Sequence, residues 1–164
     1  PEDRQRMGLV TEFKAYENLI FGYHHQEPYS KNSILQEKEI MSFSKKVMEE
    51  YDVRPRSPNL MTSNFSGGNQ QKIILSRELN ENPKVLLIGQ PTRGVDIGAI
   101  EFIHQRLIDM RDKGAAILLV SVELEEVLSL SDRIVVMFDG NIVGEKVNKD
   151  VTDRDLGLLM AGVA

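Results

Sequence analysis

Cysteine is missing from this chain of 164 residues, so it forms no disulfide and no thiolate metal site. Long apolar runs are missing too. The longest, such as Ala115–Val120 ("AAILLV"), reach about six residues, whereas a membrane-spanning helix needs ~20. No excess of positive charge is present. Twenty Lys and Arg stand against 25 Asp and Glu, the net charge is −5 and no basic stripe stands out, which argues against a nucleic-acid surface. No signal-peptide pattern occurs. The chain opens "PEDRQRMG" without Met, which is compatible with Met removal before proline or with a segment of something longer.

What is there fits one soluble globular domain of ordinary size, with 41% hydrophobic and 27% charged residues. The first part reads as helical. In 11–22, Phe13, Tyr16 and Ile20 recur at helical spacing and Gly22 ends the pattern. After a polar loop, Ser33 is a candidate cap for a long helix with Ile40, Phe43, Val47 and Tyr51 on one face. The proline-bearing stretch 52–64 is expected to be extended. A third helix is expected from Ser66 to about Pro83.

From Lys84 the texture changes. "VLLI", "AILLV" and "IVVM" lack polar alternation, which suits strands buried on both faces of a parallel sheet. Between the first two lies a helix with the stripe Ile100, Ile103, Leu107 and Met110. "ELEEVLSLS" predicts a short helix, Asp139-Gly140-Asn141 a hairpin turn, and Thr152 with Asp155 the cap of a closing helix. The β-α-β-α-β alternation argues for a doubly wound sheet.

The most specific stretch is "NFSGGNQQK", Asn64 to Lys72. Put Ser66-Gly67-Gly68 at a helix start and free N–H groups, the positive dipole end and a hydroxyl face whatever approaches, a ready phosphate seat. A plain helix cap with a flexible entry explains the glycines equally well.

The surroundings shift that balance. About twenty residues on, "VLLIGQPT" runs into "RGVD", and "LLVSVELEEVLSLSDRIVVMFDGNIVGE" follows. In this order the chain resembles the nucleotide-binding domain of ATP-binding cassette (ABC) transporters. "FSGGNQQK" resembles the signature motif, "VLLIGQPT" the Walker B strand and "RGVD" the D-loop. The stretch from Leu118 is similar to the switch-histidine region, and residues 1–22 to the segment after the Q-loop. The details "PEDRQRMGLV", "SGGNQQK" and "PTRGVD" look closest to the C-terminal half of simple-sugar and nucleoside importer ATPases. The resemblance implies an α/β fold. Part of a P-loop NTPase (RecA-like) ABC core with a parallel sheet is joined to an α-helical signature subdomain. Residues 1–82 would form the Q-loop remnant and helical subdomain, and residues 83–164 the RecA-like part.

Against the family pattern, the Walker B carboxylate falls on Gly89, the catalytic glutamate on Gln90 and the switch histidine on Val122. Glutamine holds a water but takes no proton from it at neutral pH. No G-x-x-x-x-G-K-[ST] occurs, so the Walker A loop is missing. The Q-loop glutamine falls near Glu2. In the family two halves sandwich ATP head to tail, so a half without hydrolytic groups still serves its partner's site. The resemblance therefore implies that Ser66, Gly67, Gly68 and Asn69 contact the ATP held by an opposing half. Asp96 would help at the seam, with a turn aspartate capping the next helix as the alternative. Asn69 and Gln70 also suit capping or packing, and Gln90 either a water-binding remnant or a plain strand-end residue.

ATP and Mg²⁺ are expected in a full-length assembly and no cofactor in this chain alone, which should not hydrolyse ATP by itself. Expected partners are a second nucleotide-binding domain and transmembrane permease subunits, met by Phe13, Tyr16, Phe21 and Tyr23 unless these pack in the core; nucleic acid is not expected. The expected location is the cytoplasmic face of the inner membrane, bound peripherally. A non-catalytic interaction or dimerisation module is the competing reading, and an ABC relative acting on nucleic acid a third. His24-His25 suits a solvated loop better than a metal site, and His104 a structural place in its helix. Without the Walker A strand, "VLLI" is expected to have an unpaired edge.

Overall fold

The computed structural model describes residues 3–149 and 151–163. The chain divides between Ile117 and Leu118 into two compact units.

The first unit opens with a π-helical turn, Arg4–Gly8, whose start is capped by the Asp3 carboxylate accepting from Gln5 N and Arg6 N. Helix α1 follows at Ala15–Leu19, shorter than the periodicity of 11–22 predicts. The reason is competition for backbone groups. Thr62 N–H donates to Phe13 O (2.8 Å), Ser63 N–H to Thr11 O (2.9 Å) and Ala15 N–H to Leu60 O (2.9 Å), so the residues before Ala15 pair with 60–63 instead of with a helix. Asn18, fully buried, ties this corner. Its side chain exchanges bonds of 2.9 Å with both Val10 backbone groups and donates to Thr62 Oγ1 at 2.9 Å.

Ser33 does not cap a helix. It sits with Asn32 at positive φ in the turn of a small hairpin, β1 (Ser30–Lys31) against β2 (Ile34–Leu35). Helix α2 begins later, at Glu37–Glu50. Its face is the expected one: Ile40, Val47 and Tyr51 are buried, and Phe43 meets Tyr29 edge-on with ring centres 5.0 Å apart. Residues 51–65 are not extended; they fold into successive turns and a 3-10 turn at Thr62–Asn64.

Helix α3, Gly67–Asn80, is capped by Ser66 as the sequence predicts. It is the hub of this unit, packed against α1, α2 and α4 with Ile73, Ile74, Leu75 and Leu79 buried. Arg77 is buried on it and donates to Gly8 O (3.0 Å) and Asn18 O (3.4 Å). Strand β3 (Val85–Gly89) and helix α4 (Ile97–Asp112) lead to strand β4 (Ala116–Val120), within which the division falls; β3 and β4 are neighbours in a parallel sheet. Pairing opens with Ala116 N–H on Lys84 O at 2.9 Å. Of the α4 stripe, Ile103, Leu107 and Met110 are buried and Ile100 partly so. The expectation of burial on both faces fails for β3: Leu86 is buried, but Val85 and Leu87 are 65% and 73% exposed. Continuous apolarity marks a strand suited to two-sided cover, and cover is present here on one side.

The second unit holds α5 (Leu124–Leu130), the antiparallel pair β5 (Arg133–Phe138) and β6 (Asn141–Val147), and α6 (Asp153–Met160). Asp139 and Gly140, both at positive φ, make the two-residue turn, and Asn141 already belongs to β6. Ile134, Val136, Leu156 and Leu159 form this unit's core. β5 takes β6 as its hydrogen-bonded neighbour, the hairpin that the sequence predicts, because a tight turn offers an adjacent partner at little entropic cost.

Candidate functional site

The start of α3 brings most of the sequence-predicted site together. Ser66 Oγ accepts from Asn69 N at 3.4 Å and from Asn69 Nδ2 at 2.9 Å. Asn69 Oδ1 in turn accepts from Arg54 N at 2.6 Å. Asn69 therefore uses its side chain for local capping, in line with its packing alternative. Gln70 is likewise structural: 2% exposed, it donates to Thr62 O (3.1 Å) and accepts from Gln5 Nε2 (3.3 Å).

The two glycines are there because the loop after β3 comes very close. A methyl group on Gly67 would lie 2.6 Å from Arg4 Nη2 and 3.0 Å from Gly94 O. On Gly68 it would lie 2.8 Å from Asp96 Oδ2 and 3.0 Å from Ala99 Cβ. At each glycine a methyl group would therefore displace a flexible side-chain end and crowd a fixed atom, Gly94 O or Ala99 Cβ. Asp96 is the N-cap of α4, its Oδ1 accepting from Ala99 N at 2.9 Å. Two helix N-termini thus converge on one shallow pocket lined in part by Asp52, Arg54, Gly68, Lys72 and Asp96. Hydrogen bonding from Arg54 holds the Asp52 carboxyl below its ordinary range, with the charges of Arg54, Lys72 and Arg56 acting the same way. Lys72 also lies over the Phe102 ring, 4.7 Å from its centre.

Gly89 ends β3, and a side chain built there meets nothing within 4 Å. Gln90 follows at φ +50 and its carbonyl accepts from Arg93 N at 3.2 Å, which starts the turn toward Asp96. Val122 belongs to the second unit, where it is 64% exposed beside the Ser121 hydroxyl that accepts from Glu123 N. Glu2 lies outside the described residues. Gly89 offers no side-chain oxygen, and among the described residues no group of three or more His, Cys, Asp or Glu is arranged to hold a metal ion. The end of β3 at Gly89-Gln90 thus supplies no carboxylate for Mg²⁺.

Reading the sequence alone missed Arg4, which packs against Gly67, and Gln5 and Arg54, which bond to Gln70 and Asn69 of the same helix turn. Their signal was present only as charge near a chain end and between prolines, where spacing carries no face.

The chain is 46% identical over 162 residues to the guanosine import ATP-binding protein NupO of Bacillus subtilis, and 48% identical over 162 residues to the nucleoside import ATP-binding protein NupA of Lactococcus lactis. Each match takes in 99% of this chain and 32% of the relative, so the chain spans about a third of the length of these curated relatives. Among solved structures, a nucleotide-free ATP-binding cassette from an ABC transporter superposes with a TM-score of 0.69 at 26% identity, covering 86% of this chain and 58% of that one. A dimeric cassette in a post-hydrolysis state with ADP and Pi superposes with a TM-score of 0.69 at 24% identity, covering 90% and 62%, and speaks for the fold alone. No protein-family profile matches the chain. The fold is part of the α/β core of an ABC ATPase cassette. Within that class, the chain is similar along 99% of its own length to about a third of the guanosine and nucleoside import ATP-binding proteins named above.

Proposed function

We propose that this chain forms the signature-bearing face of a nucleotide-binding half in an ABC importer for nucleosides. Ser66, Gly67 and Gly68 contact ATP held by a second nucleotide-binding domain, with Asn69 and Asp96 shaping that surface. The observation that carries the reading is the glycine-led start of α3 against the loop 93–96, in a chain 46–48% identical to nucleoside import ATP-binding proteins. The physical support is the combination of helix-start N–H groups, dipole and close backbone access.

In this reading residues 1–82 carry the signature helix and residues 83–164 the remainder of the core. The chain's own hydrolytic positions are degenerate: Gly89 has no carboxylate, Gln90 no basic oxygen and Val122 no imidazole. ATP, with Mg²⁺ held by groups outside this chain, supplies the free energy of transport in the assembled importer. Partners are the second nucleotide-binding domain and the membrane permease, with the half-exposed pair Phe13 and Phe21 facing the permease. No helix among the described residues is long and apolar enough to cross a membrane; peripheral attachment at the cytoplasmic face is part of the proposal.

Two measurements test this. The purified chain alone should not hydrolyse ATP; turnover that survives rigorous purification overturns the degenerate-site reading. In the importer assembled with its second half and permease, Ser66→Asp should lower ATP hydrolysis by ~10²-fold or more, since the exposed carboxylate can still cap α3 but meets an incoming phosphate with like charge. A second reading, a non-catalytic dimerisation module, is favoured by one observation: intramolecular packing by itself accounts for both glycines. It predicts that Ser66→Asp leaves ATP hydrolysis by the assembly unchanged.

A further inference from the structure

Arg4 breaks two local rules at once. Its guanidinium lies at the start of α3, where the helix dipole disfavours a cation. Its Nε is buried with no hydrogen-bond partner among the described residues, an arrangement that costs free energy. What it gains is a bridge. Nη1 donates to Arg93 O at 2.7 Å and Nη2 to Gly94 O at 3.1 Å, across some ninety residues of sequence. The same Nη2 fills the space a side chain on Gly67 would need.

The turn that presents Arg4 is itself fastened. Asp3 Oδ1 accepts from Gln5 N (3.1 Å) and Arg6 N (3.0 Å). Gln5 reaches Gln70 on the first turn of α3 at 3.3 Å. At the other end of the turn, Gly8 O accepts from Arg77 near the C-terminus of α3. Residues 3–8 are therefore a strap lying along α3, bolted at both ends of the helix, and Arg4 ties that strap to the loop 93–94.

We infer that Arg4 is a positioning residue that holds the loop 93–96 against the first turn of α3, so that Gly67, Gly68 and Asp96 present one preformed surface. This rests on the proposal that this surface meets the ATP of an opposing half. Two forked donors are needed, because the carbonyls of Arg93 and Gly94 are successive and point to different nitrogens; lysine supplies one compact donor group.

The test is amide hydrogen exchange on the chain as it is, for Arg4→Ala and Arg4→Lys beside the wild type. The amides to follow are Asn69, Gln70, Arg93 and Val95, each hydrogen-bonded within the two segments. Arg4→Ala should speed their exchange about tenfold while amides of 134–147 keep their rates. Arg4→Lys should not restore the wild-type rates. Wild-type rates in Arg4→Ala, full rescue by lysine, or uniform acceleration across both regions would each overturn the inference. If Arg4→Ala does not fold, Arg4→Lys with Gly67→Ala decides instead: the glycine substitution should perturb loop 93–96 less in the lysine background, where the crowding nitrogen is gone. In the assembled importer both Arg4 variants should lower kcat/KM for ATP about tenfold. A wild-type assembly without ATPase sinks the functional reading, whereas the exchange rates judge Arg4 independently of it.

Discussion

Gly68 and Gly89 occupy motif positions of similar standing in the sequence, yet the structure treats them oppositely. A Cβ at Gly68 meets Asp96 Oδ2 at 2.8 Å and Ala99 Cβ at 3.0 Å, and the second of these is fixed to a helix backbone. Gly68→Ala gains ~1 kcal/mol of helix propensity but loses ~1–3 kcal/mol to overpacking, so a net loss of about 1 kcal/mol is expected in urea denaturation. At Gly89 a Cβ meets nothing within 4 Å. Gly89→Asp should therefore shift the denaturation midpoint by less than the equivalent of ~0.5 kcal/mol. A large loss there would show that the end of β3 cannot accept the carboxylate that the family pattern has. From the sequence the motif glycines were legible as a phosphate seat or a cap. Their crowding was not legible, because Arg4, Gly94 and Asp96 come from segments far away in the chain.

At the scale of elements, local rules carried furthest where both ends of a helix had chemistry of their own. Ser66 before α3, the stripe of α4 and the Thr152–Asp155 pair before α6 all lie where the sequence puts them. α1 and Ser33 went differently because long-range backbone bonds to 60–63 and a positive-φ turn overrode local preference. The α6 cap gives a pH prediction. The Thr152 hydroxyl, and then its N–H, hold the Asp155 carboxyl below its ordinary range. A group whose folded pKa is depressed contributes stability above its unfolded pKa and loses it as pH falls through the folded one. The thermal midpoints of wild type and Thr152→Ala should thus differ most at neutral pH and draw together as pH falls below about 4 toward the folded pKa, leaving the difference due to the hydroxyl accepting from Asp155 N. Parallel curves down to the acid limit would show that the hydroxyl alone makes the cap. In the same helix, a Cβ at Gly157 meets nothing within 4 Å, so Gly157→Ala should stabilise by ~0.5–1 kcal/mol, read as a raised urea midpoint.

For the whole molecule, the telling feature is apolar sequence left in water. The parallel pair β3–β4 was legible from its uninterrupted apolar runs, but their one-sided cover was not, since a sequence reports what a strand is suited to and not what covers it. Val85 and Leu87 on β3 are 65% and 73% exposed, and neither carries a charge to discourage pairing with another chain. Exposed, flat, apolar strands recruit partners, because each Å² of apolar surface removed from water is worth about 25 cal/mol. The chain should therefore self-associate with rising concentration in sedimentation velocity, and Leu87→Lys should suppress that association without lowering the thermal midpoint, because residue 87 has little burial to lose. Lysine is the substitution of choice: natural sheet edges use it, and its long stem leaves the charge in water. A wild-type chain that stays monomeric across the whole concentration range would count against the idea. So would association that Leu87→Lys leaves intact, which would move the adhesive surface elsewhere, with the exposed Met137 and Ile142 of the β5–β6 hairpin the next residues to change.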